Sequence, residues 1–252
     1  MIGTDQTKAI VNPVRTTRSP VLPSATIMVG TRLDLQILCQ LLDFDYNNYR
    51  SLYMSRLYLD SHGSCPVALA GPLVGAPYAA MILESLIAWG AAKIVYFGWC
   101  GAISTNINVG DVLLPTKAVI DEGTTRHYFE DNRQTADPSE ALTAVIRNGL
   151  LGRRIEFQEG CIWTTDGIFR ETVAKVVKHQ SNGVLGVEME LSALFSVGAY
   201  RKVDVGGLLV VSDDLSNLVW RPGFKDERFK KGRQMVSGFL KQLAAGLGKK
   251  DE

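Results

Sequence analysis

From Ala25 onward the chain alternates two patterns, and that alternation limits its fold more than any other feature. Short apolar runs that end in glycine or a polar residue are followed by stretches with apolar residues at helical spacing. SATIMVG reads as a buried strand closed by Gly30, and LDLQILCQLL follows with Leu35, Leu38, Leu41 and Leu42 on one helical face. PVALAG is a second strand. PYAAMILESLIAWG is a helix with Pro77 at its start and Gly90 at its end. KIVYFG is a strand leading into a glycine-rich turn, VGDVLLPTKAVI a longer strand, and residues 138–150 a helix. The strands IEFQEGCIWTTD, VLGVEM and GGLLVVSDD then alternate with the helices ETVAKVVKH and LSALFSVGAY, before an amphipathic basic helix over 226–247. Strands alternating with helices predict an α/β fold, a single-domain α/β/α sandwich with a mixed, largely parallel central sheet. Residues 1–24, rich in Thr, Pro, Ser and Arg, read as a loose N-terminal arm, and 25–252 as one domain.

Charge and cysteine usage exclude several functions. The 27 basic and 26 acidic side chains give a net charge of +1, so nothing points to nucleic acid or an anionic membrane as partner. No apolar run reaches the ~18 residues that span a bilayer, and the N-terminus lacks the apolar core of a secretory signal. Cys39, Cys65, Cys100 and Cys161 are scattered, with neither metal-ligand nor disulfide-framework spacing. Free thiols in a reducing cytoplasm are the expectation, with no metal.

In sheets of this kind ligands gather at the carboxyl ends of strands. Those ends carry Gly30, FGWCG at 97–101, TTDGIFRE at 164–171, VEME at 187–190 and SDD at 212–214. Most unusual is VLGVEMELSAL, where Glu188 and Glu190 flank Met189 in an otherwise apolar run. Residues two apart in extended chain point the same way, so both carboxylates face one polar neighbour.

Taken together, these segments resemble the nucleoside phosphorylase family, which includes uridine and purine nucleoside phosphorylases and related nucleosidases. The resemblance covers residues 25–215. It rests on GVEMELSAL, ALAGPLVGAPYAAMILESL, the stretch from IVYFGWCGAISTNINVGD through EGTTRHYF, TTDGIFRET and VVSDD, in that order. It implies an enzyme that cleaves the N-glycosidic bond of a uridine- or purine-type nucleoside to base and sugar 1-phosphate, without cofactor and with inorganic phosphate as co-substrate. Glu190 would accept the ribose hydroxyls, Met189 would pack under the sugar, and Glu188 would line the same wall. Asp213 would be the general acid at the base, and its presence leans the substrate toward purine. Ile168, Phe169 and Arg170 would border the base, with Ile168 standing where many purine enzymes of the family have a stacking aromatic. His127, in EGTTRHYF, is a minor candidate. The resemblance also implies a homo-oligomer, a dimer or trimer of dimers.

The phosphate corner departs from the family. Gly30 and Gly98 are in place, but Asp34 and Tyr96 stand where arginines are usual, and Trp99 replaces a small hydroxyl residue. Losing two bidentate arginines should weaken phosphate binding by about 3 kcal/mol or more. Arg32, or Arg50 or Arg56 from a neighbouring subunit, would have to restore the anion site. Two alternatives therefore stand beside phosphorolysis. Asp34 is either the carboxylate that orients a water nucleophile, making the chain a hydrolytic nucleosidase, or a plain helix-start residue. A relative that binds a nucleoside without cleaving it is the third reading. Trp220 and Arg221, in SNLVWRPGFKDERFK, form either a lid or a surface connection.

Overall fold

The computed structural model describes residues 9–60 and 67–247. Residues 9–24 hold no helix or strand. Leu22 is nonetheless buried, its amide donates to the Trp89 carbonyl, and the Trp89 indole donates to the carbonyl of Val14. Strand β1 (Ala25–Val29) is buried at every position. Helix α1 (Arg32–Leu41) follows, opened by Thr31, whose hydroxyl oxygen accepts the Asp34 amide. Next comes an antiparallel hairpin, β2 (Arg50–Leu52) and β3 (Ser55–Tyr58), which the sequence patterns did not announce. Its segment RSLYMSRLY is too short and too rich in arginine to read as buried strand.

Strand β4 (Val67–Gly71) and helix α2 (Ala76–Ala88) match their predicted places. Strand β5 (Lys93–Ala102) corrects one expectation. The glycines of FGWCG lie inside the strand, where the sequence reading had a turn. The expected elements follow in order, together with two short strands that the sequence patterns did not announce, at 135–136 and 221–222: β6 (Val112–Asp121), β7 (Thr135–Ala136), α3 (Glu140–Gly152), β8 (Gln158–Thr165), α4 (Val173–Ser181) and β9 (Gly186–Glu188). The series closes with α5 (Leu191–Arg201), β10 (Asp204–Asp214), β11 (Arg221–Pro222) and α6 (Glu227–Leu247). Ser139 and Thr172 cap α3 and α4 through their hydroxyls.

One mixed sheet joins all eleven strands of the described residues. Its open arm runs β2, β3, β4, β1, β5. Beyond β5 the sheet closes on itself. β5 pairs parallel with β10 and antiparallel with β9, β9 parallel with β8, β8 parallel with β6, and β6 antiparallel with β10. Five strands thus form a ring that continues into the open arm.

Helices cover both faces. On one, Leu83 and Leu86 of α2 and Leu194 and Phe195 of α5 pack on Met28, Ile94 and Leu209. On the other, Leu35 and Leu38 of α1, Ile146 of α3, and Val236 and Phe239 of α6 pack on Ile27, Val95, Leu208 and Val210. Alternate residues of β1 serve opposite faces, which is why the strand reads as continuously apolar. Each such fully buried side chain contributes about 1.5–3 kcal/mol of hydrophobic stabilisation. Among the described residues no helix is long and apolar enough to cross a membrane. Cys39, Cys100 and Cys161 are free, and Cys65 lies outside the described residues.

Candidate active site

A cavity of about 500 Å³ opens at the carboxyl ends of the strands. Its wall comes from Gly30 and Thr31 after β1, from Tyr96, Trp99, Cys100 and Gly101 of β5, from Val187 to Glu190, and from Ser212 and Asp213 of β10. Ile168, Phe169 and Glu171, and the connection to α6 with Leu215, Trp220 and Phe224, add to it. The predicted Gly30, Tyr96, Trp99, Ile168, Phe169, Glu188, Met189, Glu190 and Asp213 all line this one space.

The two glutamates divide their work. Glu188 accepts the Thr164 hydroxyl on one oxygen and the amides of Glu190 (2.7 Å) and Leu191 (2.8 Å) on the other. It caps α5, where the first amides have no helical partner and negative charge is favoured. Glu190 accepts the Gly75 amide at 2.5 Å and the Tyr96 hydroxyl at 2.8 Å. Gly75 has φ +81°, a conformation that glycine adopts freely and that turns its amide to the carboxylate. A carboxylate has about four lone-pair sites. The protein occupies two on Glu190 and three on Glu188, so Glu190 has the greater capacity for a ligand's hydroxyls. Burial raises the pKa of both. The charge of Glu190 adds to the rise at Glu188, while donors from Gly75 and Tyr96 oppose it at Glu190.

At the other pole stands Asp213. Strand β10 bulges between Val211 and Asp213, which shifts the register so that Asp213 pairs with Gly101. Its two oxygens accept the Ser212 hydroxyl (2.6 Å) and the Trp220 indole N–H (2.9 Å). A proton-donor role therefore requires Trp220 to release one oxygen. Ile168 and Phe169 sit in a 3-10 turn, 52% and 95% exposed. Arg170 belongs to the same turn but is exposed and does not line the cavity, which corrects its expected place at the base. Glu171, unremarked in the sequence, does line it. Burial, and behind it the charge of Asp213, pushes its pKa up to about 7. Its only sequence signal was an acid in front of a helix, which reads as helix-start chemistry.

The third corner is rebuilt. The Gly30 amide donates to the Phe97 carbonyl at 2.8 Å, extending the β1–β5 ladder and leaving no free donor. A Cβ on Gly30 would sit 2.7 Å from the Tyr96 hydroxyl, and one on Gly98 2.5 Å from it. These glycines thus make room for the Tyr96 ring, and Gly98 does not line the cavity. Asp34 is fully buried behind the wall and does not line the cavity either, which corrects its assignment as water activator. One oxygen accepts from Arg233 Nε at 2.7 Å, the other from the Trp99 indole at 2.6 Å and the Thr31 hydroxyl at 2.7 Å. Arg233 lies in α6, 199 residues away, among positions that read from sequence as a basic face. Arg32 is exposed, its Nε donating to the Tyr46 hydroxyl, so it does not restore the anion site. Arg56 stacks on Tyr46 and Tyr49. Among the described residues no lysine or arginine lines the cavity, whereas Glu171, Glu188, Glu190 and Asp213 all do.

His127 faces a second cavity of about 730 Å³ with Glu84, Tyr128 and Arg201, apart from the first. Among the described residues no cluster of three acidic, histidine or cysteine side chains could hold a metal ion.

The sequence profile of the Phosphorylase superfamily matches residues 24–246. A purine nucleoside phosphorylase DeoD-type of Bacillus cereus is 30% identical over 176 residues, 68% of this chain and 72% of that protein. The corresponding protein of Clostridium novyi is 27% identical over 173 residues, again 68% and 72%. Among solved structures, uridine phosphorylase from Vibrio fischeri superposes with a TM-score of 0.78 at 20% identity, covering 92% of this chain and all of that one. A futalosine hydrolase mutant of Helicobacter pylori superposes with a TM-score of 0.74 at 19% identity, covering 88% and 98%.

Proposed function

The chain belongs to the phosphorylase superfamily, and on that premise we propose that it cleaves the N-glycosidic bond of a nucleoside by hydrolysis, water taking the place of phosphate. The observation that carries this reading is the anion corner. Its glycine amide is committed, its space is filled by Tyr96 and Trp99, and its buried carboxylate is paired with Arg233. A phosphate dianion entering a wall that holds four carboxylates and, among the described residues, no lysine or arginine meets repulsion and no bidentate donor. Water meets neither obstacle.

In this reading Glu190 accepts the sugar hydroxyls through its unoccupied lone pairs, with Met189 beside it, and Glu188 holds the helix that carries them. The sugar develops positive charge as the glycosidic bond stretches, and the surrounding carboxylates stabilise that charge. Ile168, Phe169 and Trp220 border the base, and Asp213 meets the leaving nitrogen, which favours a purine. The names of the curated relatives favour phosphorolysis as a second reading, one that needs cations brought by another subunit. A homo-oligomer is part of the proposal. Met54 and Val74 are 82% and 70% exposed, and sedimentation would read the assembly directly.

The test incubates the protein with purine and pyrimidine nucleosides, with and without phosphate, and follows base and sugar products by chromatography. Equal release of base with free sugar in both conditions is expected. Release that depends on phosphate, with sugar 1-phosphate appearing, would install phosphorolysis. Tight binding without any release would leave a nucleoside-binding relative.

A further inference from the structure

The wall of the cavity pairs two kinds of group that share one ligand preference. The carboxylates are Glu171, Glu188, Glu190 and Asp213, and among the described residues none meets a lysine or arginine across the cavity. The second kind is aromatic. Trp220, Phe224 and Trp99 line the same space and contact one another in series, at ring-centroid distances of 6.5 and 6.1 Å. Trp220 is 60% exposed and Phe224 45%, so ring surface remains uncovered. Aromatic faces attract cations through the ring quadrupole, most strongly when the cation is desolvated between them.

Resting on the nucleoside reading above, we propose that the site selects nucleosides whose base carries a positive charge in its ring, of the pyridinium or N-alkylated purinium type. Glu171 carries the argument furthest. It accepts no hydrogen bond and forms no ion pair among the described residues, and the charge that faces it is the like charge of Asp213. An acidic pair of this kind at the base pole is relieved by a cation and aggravated by an anion. A flat cationic ring answers both the carboxylates and the indole.

The chemistry closes without an acid. The bond from C1′ to the ring nitrogen breaks with its electron pair passing to that nitrogen. This cancels the positive charge, and the base leaves neutral. The water oxygen forms the new bond to C1′ and loses one proton to a cavity carboxylate and then to solvent. Asp213 already accepts two hydrogen bonds from the protein, and a leaving group of this kind asks it for no proton.

Calorimetry with matched pairs tests the proposal. Nicotinamide riboside is compared with its neutral dihydro form, and the N-alkylated purinium 1-methyladenosine with adenosine, slightly above neutral pH, where Glu171 is ionised and both charged members keep their positive ring. The charged member of a pair should bind at least about 10-fold tighter. The gap should narrow several-fold in Glu171→Gln, and in the native protein when salt is raised from about 0.05 to about 0.5 M. A preference in one pair alone identifies which cationic ring is recognised. Equal binding within both pairs, or a preference that ignores both salt and Glu171→Gln, overturns the proposal; salt alone decides if the variant fails to fold. Turnover is scored separately. Hydrolysis of neutral nucleosides with no charge preference sinks this inference and spares the hydrolytic reading. Charge preference without base release does the reverse.

Discussion

The sugar wall and the anion corner each bury carboxylates, and they do so in opposite ways. Glu190 is held only by neutral donors, a glycine amide and a phenol, and opens onto the cavity. Asp34 is held by a guanidinium, an indole and a hydroxyl and is sealed from it. The difference separates a binding group from a structural one. A buried carboxylate balanced by its own arginine has its charge and its lone pairs spent. One held by neutral donors keeps a charge and unused lone pairs for a ligand, at the expense of a raised pKa.

The largest effect that would sharpen this contrast lies at the corner. Asp34→Ala leaves Arg233 buried and unpaired, and unfolding in urea should show a loss of about 3–5 kcal/mol. Asp34→Leu combined with Arg233→Met should recover most of it, because the pair is balanced within the protein. Should Asp34→Asn melt like the native chain yet lose turnover, the corner would be chemical after all. At the wall, Glu190→Gln should weaken nucleoside binding about 10- to 100-fold by calorimetry while the melting temperature stays near native. A fall in stability of the size expected for Asp34→Ala would erase the distinction. Tyr96→Phe removes one donor to Glu190 and should cost about 0.5–1.5 kcal/mol of nucleoside affinity, a several-fold change.

The smallest effect is one of pH. The folded protein holds the Glu171 proton up to about pH 7, above the ordinary value of 4.5, so the folded state binds it more tightly than the unfolded chain does. The resulting stability is complete below about pH 4.5 and is lost as pH rises through 7. Glu188 and Glu190 shift in the same direction. Melting temperatures at pH 5 and pH 8 should therefore fall less in Glu171→Gln than in the native protein. An unchanged fall would take Glu171 out of the buried set.

What the sequence disclosed follows the range of the interactions involved. The alternation of ATIMV with LDLQILCQLL, or of GGLLVVSDD with the final helix, records burial along a local period, and those elements stand where the pattern put them. VEME was legible because two acids in an apolar run need a reason. FGWCG was misread because glycine marks a turn and close ring packing alike, and only the Tyr96 side chain decides between them. Asp34 was ambiguous because its partner sits in α6, where an arginine on an amphipathic helix looks solvated. Glu171 was missed for the same kind of reason, since it follows a short turn and its neighbour Asp213 comes from the distant strand β10.

The closed ring of β5, β10, β6, β8 and β9 gives the molecule a fixed gauge. Glu190 follows one member of the ring and Asp213 rides on another, and each strand is tied by ladders on both sides. A hoop has no free end to slide, so the span between the sugar pole and the base pole is set by backbone registers and not by loops. Side chains at the rim can then be exchanged, as at Tyr96, Trp99 and Glu171, without resetting the length of ligand that fits. The same gauge can measure a phosphorolytic, a hydrolytic or a purely binding site, and the rim residues choose which.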